Sequence, residues 1–188
     1  MKYGKSFLRR QSLLERKKKY LTVRKFNFNL IFNLIKKNFY KKRINIAGYY
    51  PSNYEVNILK FLKVAEKKNF NIALPVIKSS NNMSFTSWIY KEPLHVNKFG
   101  ILEPSNLNKE IIPDLIMVPL VAFDNNLNRI GYGKGYYDRS LGKISKVNKN
   151  MISLGIAYSF QKCKSIPINK HDFKLDYIFT ERGIISSN

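Results

Sequence analysis

The sequence predicts an α/β layered fold with a mostly parallel sheet, and three observations carry that prediction. After residue 43, short β-prone runs alternate with helical segments, the pattern of strands joined by crossover helices. Residues 115–123, LIMVPLVAF, form a near-continuous apolar run, as in a parallel strand covered on both faces. No repeat, low-complexity linker or compositional break divides the 188 residues. The chain therefore reads as one domain, residues 1–188, with a basic helical segment, 1–43, packed on it.

The elements follow in order. Phe7, Leu14 and Leu21 fall seven apart, close to two helical turns, and predict a helix over residues 5–24 with an apolar stripe toward the core. Lys5, Arg9 and Arg16 fall on its other side. Ile31, Leu34, Ile35 and Phe39 repeat at i, i+3, i+4 and i+8 and mark a second core-facing helix. Residues 44–50 read as a strand, 55–68 as a helix and 72–77 as the next strand. Residues 83–90 read as a strand with aromatic decoration, on which Met83, Phe85 and Trp88 are expected to share one core-facing side. Residues 152–157 and 177–179 complete the sheet.

Composition narrows the function classes. With 44% hydrophobic and 24% charged residues the chain is globular in kind. Its one cysteine, Cys163, has no partner for an intrachain disulfide and no neighbouring metal ligand, so a reducing cytoplasm is the expected setting. The longest apolar stretch near the N-terminus, residues 26–35, is interrupted by Asn27, Asn29 and Asn33, so neither a membrane span nor a signal core is expected. The net charge of +22 would attract polyanions whatever the function. Residues 1–43 hold fifteen Lys or Arg and one acid, Glu15. A chain rich in Lys, Asn, Ile, Phe and Tyr is also what an AT-biased genome encodes, so charge alone identifies no partner. An RNP-type aromatic motif, a GXXG loop and a zinc site are absent from the sequence, and no specific nucleic-acid partner is expected.

The chemistry concentrates in residues 118–141, VPLVAFDNNLNRIGYGKGYYDRSL, where a buried strand runs into a glycine-rich turn and then a helix. Gly131, Gly133 and Gly135 alternate there. Glycine permits positive φ and close backbone approach, so successive N–H groups can converge on an anion, and the helix start adds partial positive charge. Lys134 and Arg129 supply full charges to the same loop. The turn matches neither the Walker A loop nor the dinucleotide fingerprint, so a nucleotide site here belongs to another class.

The segment Arg129-Ile-Gly-Tyr-Gly-Lys-Gly-Tyr-Tyr-Asp-Arg139 resembles the signature of the 5-formyltetrahydrofolate cyclo-ligase family. Further matches follow in order: Lys5 and Arg9, residues 49–55, Met83-Ser-Phe, Phe99-Gly-Ile-Leu-Glu-Pro104, Pro113-Asp-Leu-Ile and His171-Asp-Phe-Lys-Leu-Asp176. The resemblance spans nearly the whole chain. It implies that Lys5, Arg9, Arg129 and the loop Gly131, Tyr132, Gly133, Lys134 and Gly135, with Tyr136 beside it, hold the phosphates of ATP. It implies Asp138 and Asp172 as Mg2+ ligands, Glu55 as the acceptor for the folate pterin, and Tyr50, Met83, Phe85, Phe99 and Tyr137 around the substrate. Lys134, Arg129 and Tyr137 are the residues it places at the reacting groups. The implied reaction is the ATP- and Mg-dependent closure of 5-formyltetrahydrofolate to 5,10-methenyltetrahydrofolate. The implied architecture is a monomeric three-layer α/β/α fold with a Rossmann-like sheet, the two substrates meeting at the C-terminal strand ends.

Blander roles compete residue by residue. Asp138 could serve only the dipole of its helix, and Glu55 could simply begin one. Within residues 124–128, where the family often has a turn glycine, an Asn is expected to take the positive φ. Two other functions remain open at this level: a basic RNA-binding protein, and an ATP-binding homologue without folate chemistry.

Overall fold

The computed structural model describes residues 4–23, 25–40, 43–79, 82–105 and 109–187. Helix α1 (Lys5–Lys19) leads through a 3-10 turn, Tyr20–Thr22, to α2 (Asn29–Asn38). Then come β1 (Asn45–Ala47), α3 (Leu59–Lys67), β2 (Asn71–Ser79) and β3 (Asn82–Ser87). Short strands β4 (His95–Val96) and β5 (Leu102–Glu103) precede β6 (Leu115–Pro119), which is followed by β7 (Ala122–Phe123) and β8 (Arg129–Ile130). The chain ends with α4 (Tyr136–Val147), β9 (Ile152–Ile156), a 3-10 turn Ser159–Gln161, β10 (Tyr177–Thr180) and β11 (Gly183–Ser186).

Seven strands form one sheet in the order β11-β10-β9-β6-β1-β2-β3. The five inner strands are parallel, and β3 and β11 add antiparallel edges. From β1 the chain moves outward to β2 on one side, and later strands build outward from β6 on the other. The strand order therefore reverses between β1 and β6, which opens a crevice at their C-terminal ends.

Both faces of the sheet are covered, which explains the unbroken apolar character of β6. Leu115 and Met117 pack in the layer under α2 and α3 with Ile31, Leu34, Phe61 and Leu62. Ile116 and Val118 pack in the opposite layer with Leu141 of α4, Phe85 and Ile178. This is the expected three-layer α/β arrangement with a mostly parallel sheet. Helix α2 buries Ile31, Leu34 and Ile35, as their spacing predicts, and stops one residue before Phe39, which is extended and packs partly buried against the same layer.

Several elements differ from the sequence reading. Helix α1 ends at Lys19, and Arg24 lies outside the described residues. Its predicted core stripe points outward: Phe7 is 43% exposed, Leu14 49% and Leu21 79%. Leu8 and Leu13 pack instead on Val121, Ala122, Ile130 and Ile166 at the β7–β8 hairpin, and Arg16 is buried. Periodicity of apolar residues misses a helix whose inward face is partly cationic. Helix α3 begins at Leu59, so Glu55 lies in the turn before it. Trp88 falls beyond the end of β3 and packs in the opposite layer from Met83 and Phe85, because positions 83 and 88 have opposite parity on a strand. The apolar run 115–123 breaks after Pro119, where Leu120 and Val121 give their carbonyls to the Gln161 amide at 3.0 and 2.8 Å.

The turn at residues 124–128 also corrects its expectation. The residue with positive φ is Leu127, at 62°, and not an asparagine. Its side chain is fully buried, which offsets the roughly 1–2 kcal/mol of backbone strain. Asp124, 2% exposed, fixes the turn: Oδ1 accepts from the Asn126 and Asn128 amides at 3.0 Å each, and Oδ2 from Asn128 Nδ2 at 3.0 Å and the Ile166 amide at 3.1 Å. Asp124→Ala leaves these buried donors unpaired, and should lower stability by about 3 kcal/mol in urea titration. A change below about 0.5 kcal/mol would show that the hairpin is held by packing alone.

Candidate active site

A cavity of about 540 Å3 lies at the crevice between β1 and β6. Tyr49 and Tyr50 enter it from the end of β1, Pro119 from the end of β6, and Lys5 and Arg9 from α1. Met83 and Pro75 form part of its floor, and the β4–β5 hairpin brings Phe99 and Ile101 to its rim. Its size falls within the range of small-molecule sites, about 300–1,000 Å3.

The glycine loop between β8 and α4 forms one wall. Gly133 has φ 96° and lies against Arg9, so that an added Cβ would stand 3.2 Å from the guanidinium carbon. Gly135, with φ 69°, is the N-cap of α4, and no side chain caps that helix. Its first-turn amides are therefore available to an anion. Arg9 donates from Nε to the Gly131 carbonyl at 2.7 Å, and Arg139 donates to the Lys134 carbonyl at 2.9 Å. The Lys134 side chain is left exposed at the cavity wall.

Two cation–carboxylate pairs stand at the same wall. Arg129 is buried and donates to Asp138 Oδ1 at 2.8 Å, and the same oxygen accepts from the Phe173 amide at 3.1 Å. Burial lowers the Arg129 pKa and Asp138 opposes that shift, while Arg129 Nε has no hydrogen-bond partner. Lys5 pairs with Asp172 Oδ2, which also accepts from the Asn169 amide at 2.6 Å. Burial alone would raise the Asp172 carboxyl, but Lys5 and the Asn169 amide outweigh it and hold it below the ordinary value.

Glu55 faces the cavity from a tight turn in which Asn53 and Tyr54 have positive φ. Its Oε2 accepts from the Ser52 amide at 2.9 Å, and its Oε1 from the Tyr132 hydroxyl at 2.7 Å. Burial raises its carboxyl, against the Ser52 and Tyr132 hydrogen bonds and the charge of Arg16. The Tyr137 hydroxyl is buried without a partner, its pKa pushed up by burial and then by the charge of Glu55. An orphaned donor in a cavity wall fits a ligand acceptor.

Every residue the sequence assigned to the site lines this cavity except Phe85, which is 1% exposed and supports Tyr137 from behind at 6.4 Å between ring centroids. The Tyr132 side chain, which the resemblance places among the phosphate-holding residues, donates to Glu55. Sequence reasoning gave no role to Tyr49 and Glu103, which also line the cavity, or to Arg16, which is buried and donates to the lining residue Tyr132. Glu103 is 3% exposed and accepts from the Ile77 amide at 2.8 Å and Asn97 Nδ2 at 2.6 Å, tying the β4–β5 hairpin to β2. An acid between Leu102 and Pro104 was its signal.

Two carboxylates, Asp138 and Asp172, are too few for an all-protein cage and fit a magnesium ion that brings other oxygen ligands with it. Among the described residues no group of three or more His, Cys, Asp or Glu converges. Asp138 and Asp172 each keep one carboxylate oxygen outside the hydrogen bonds above, and Mg2+ commonly uses one or two carboxylates beside phosphate and water.

These features define a doubly wound α/β domain with a cation-lined glycine loop beside the cavity at its switch point. The profile of the 5-formyltetrahydrofolate cyclo-ligase family matches residues 1–181, and the chain belongs to that family of enzymes. It is 33% identical over 175 residues to 5-formyltetrahydrofolate cyclo-ligase from Mycoplasma genitalium, covering 91% of this chain and 90% of the relative. It is 33% identical to the Haemophilus influenzae protein of that name, covering 70% of this chain and 72% of the relative. The solved 5,10-methenyltetrahydrofolate synthetase of Aquifex aeolicus superposes with a TM-score of 0.71 at 28% identity, over 97% of this chain and 92% of that one. Among the described residues no helix is long and apolar enough to cross a membrane.

The Lys5–Asp172 pair gives a pH test. Asp172 has a depressed folded pKa, so its contribution is present above the unfolded value of about 3.9 and is lost as pH falls through the folded value. Lys5→Met should therefore destabilise the protein at pH 6, with the difference from wild type closing in acid. A difference that stays constant down to about pH 2 would remove the ion pair as its cause.

Proposed function

We propose that this cleft uses MgATP to close 5-formyltetrahydrofolate to 5,10-methenyltetrahydrofolate, releasing ADP and phosphate. The observation that carries the reading is the meeting in one cavity of the cation-gripped glycine loop, the Glu55 acceptor and the orphaned Tyr137 donor. ATP phosphates lie along the Gly131–Gly135 backbone and the open α4 N-terminus, with Lys5, Arg9, Arg129 and Lys134 neutralising their charge. Glu55 accepts from the pterin ring N–H and amino group, and Tyr50, Met83, Phe99 and Tyr137 enclose the ring and formyl group.

The formyl oxygen attacks the γ-phosphorus as the bond to ADP breaks, giving an iminium phosphate at N5. N10 then attacks the formyl carbon, its proton leaves, and the carbon–oxygen bond breaks with release of inorganic phosphate. No protein nucleophile is needed. Positioning and charge neutralisation do the work, through Lys134 and Arg129 at the transferred phosphoryl group and Tyr137 toward the formyl oxygen. Magnesium, when bound, would neutralise charge on the β- and γ-phosphate oxygens, with Asp138 and Asp172 as its protein ligands.

The direct test is growth of the methenyl absorbance when pure protein meets 5-formyltetrahydrofolate and MgATP. Phosphate-loop occupancy by ATP without any methenyl product would instead favour a nucleotide-binding homologue. Glu55→Ala should raise the folate KM by about tenfold or more and leave ATP affinity within about twofold. Equal loss of both affinities would return Glu55 to a turn-forming role.

Asp138→Asn and Asp172→Asn should each raise the Mg2+ midpoint and lower kcat by about tenfold or more at saturating substrates. An unchanged Mg2+ midpoint in either variant would leave that aspartate as partner of Arg129 or Lys5 only.

A further inference from the structure

A run of contacts that the proposed reaction does not use joins three parts of the cleft. Arg16, 1% exposed on α1, donates from Nη1 to the Leu120 carbonyl at 3.2 Å and from Nη2 to the Tyr132 hydroxyl. Its guanidinium carbon also stands 5.6 Å from the centroid of the Tyr132 ring. The Tyr132 hydroxyl in turn donates to Glu55 Oε1 at 2.7 Å. The direction of this relay is fixed by chemistry: a guanidinium cannot accept, an ionised carboxylate cannot donate, and the hydroxyl has one proton to give. Tyr132 must therefore point its proton at Glu55 while Arg16 occupies its lone pair.

We infer that Arg16 and Tyr132 are positioning residues for the pterin, orienting the Glu55 carboxylate through the Tyr132 hydroxyl. This rests on the reading of Glu55 as the pterin acceptor. Glu55 Oε2 is held by the Ser52 amide at 2.9 Å and the Ser52 hydroxyl at 3.4 Å, and Oε1 by Tyr132, which fixes the carboxylate plane and leaves the second lone pair of Oε1 for a ligand donor. A neutral donor-acceptor pair could fix a turn equally well. A buried arginine whose Nε has no partner is a costly way to gain stability alone, and a role in orienting Glu55 accounts for its burial better. Tyr132 also lies between Gly131, gripped by Arg9, and Gly133, so the phosphate loop and the pterin acceptor share one side chain.

The groups facing Glu55 are Arg16 from α1, Tyr132 from the glycine loop, Tyr49 after β1, Tyr137 from α4, and Tyr158 after β9, whose hydroxyl lies 3.5 Å from the Glu55 carbonyl. Arg16 is the one cation in that set. Burial raises the Glu55 carboxyl, and Tyr132 and Arg16 work against it, so losing them should leave it protonated at higher pH.

The test is Tyr132→Phe, which keeps the ring beside Arg16 and removes only the hydroxyl. The KM for 5-formyltetrahydrofolate should rise about tenfold or more, with ATP KM within about twofold. The acid limb of kcat/KM for the folate should move to higher pH. Arg16→Met should move that limb the same way, and Arg16→Lys, which keeps charge but loses the two-pronged donor, should fall between Met and wild type. If Arg16→Met does not fold, Tyr132→Phe decides alone. An unchanged folate KM and acid limb in Tyr132→Phe, or equal loss for both substrates, would overturn the inference. Glu55→Ala separates the two levels: if it keeps the wild-type folate KM, the pterin reading itself fails, whereas a large loss there with a silent Tyr132→Phe sinks only the relay.

Discussion

The covering of the parallel sheet on both faces decides where chemistry can occur in this protein. Parallel strands need crossovers, and here those crossovers lay α3 on one face and α4 on the other, leaving the strand ends as open ground. Because β1 and β6 send their continuations in opposite directions, their C-terminal ends part, and the cavity forms where no crossover closes over them. The turn after β1 supplies Tyr49, Tyr50 and Glu55, and the chain after β6 supplies the hairpin and glycine loop. Two segments distant in sequence thus reach one site through a single feature of topology.

Charge balance shapes that site. The wall carries Lys5, Arg9, Arg129 and Lys134, a density of cation that would repel itself if left bare. Asp172 and Asp138 offset two of these charges. In the proposed reading, arriving phosphate would supply that compensation instead, and the aspartates would then be available to the metal that comes with the nucleotide.

The layered fold was legible because its signals are local: alternating elements, the apolar run of β6 and the i, i+3, i+4 spacing of α2. The glycine loop was legible for the same reason, since close backbone approach needs glycine at fixed intervals. Short strands β4, β5, β7 and β8 were not, because two-residue ladders leave no periodicity. Leu127 in a left-handed conformation was invisible as well, its strain being compensated by burial that only the tertiary structure provides. Phe85 and Trp88 were misplaced in detail because an aromatic residue near a site can line it, brace it from behind or pack on the other side of the sheet, and sequence spacing separates only the last case.

Helix α1 carries the clearest lesson about reading charge. Lys5, Arg9 and Arg16 sit at i, i+4 and i+11, within roughly 40° of one another around a helix of 3.6 residues per turn. That stripe is as regular as the apolar one formed by Phe7, Leu14 and Leu21, yet it is the one turned inward, while the apolar residues stay exposed. Desolvating three cations is unfavourable unless carbonyls, carboxylates or a ligand receive them, and each of these three meets such a group: Asp172, the Gly131 carbonyl, and the Leu120 carbonyl with Tyr132. The remaining basic residues of the helix, Arg10, Lys17, Lys18 and Lys19, are exposed. The net charge of +22 is thus two populations, a solvated one that composition can explain and one turned into the cleft whose placement composition cannot, and the second bears on what the cleft binds.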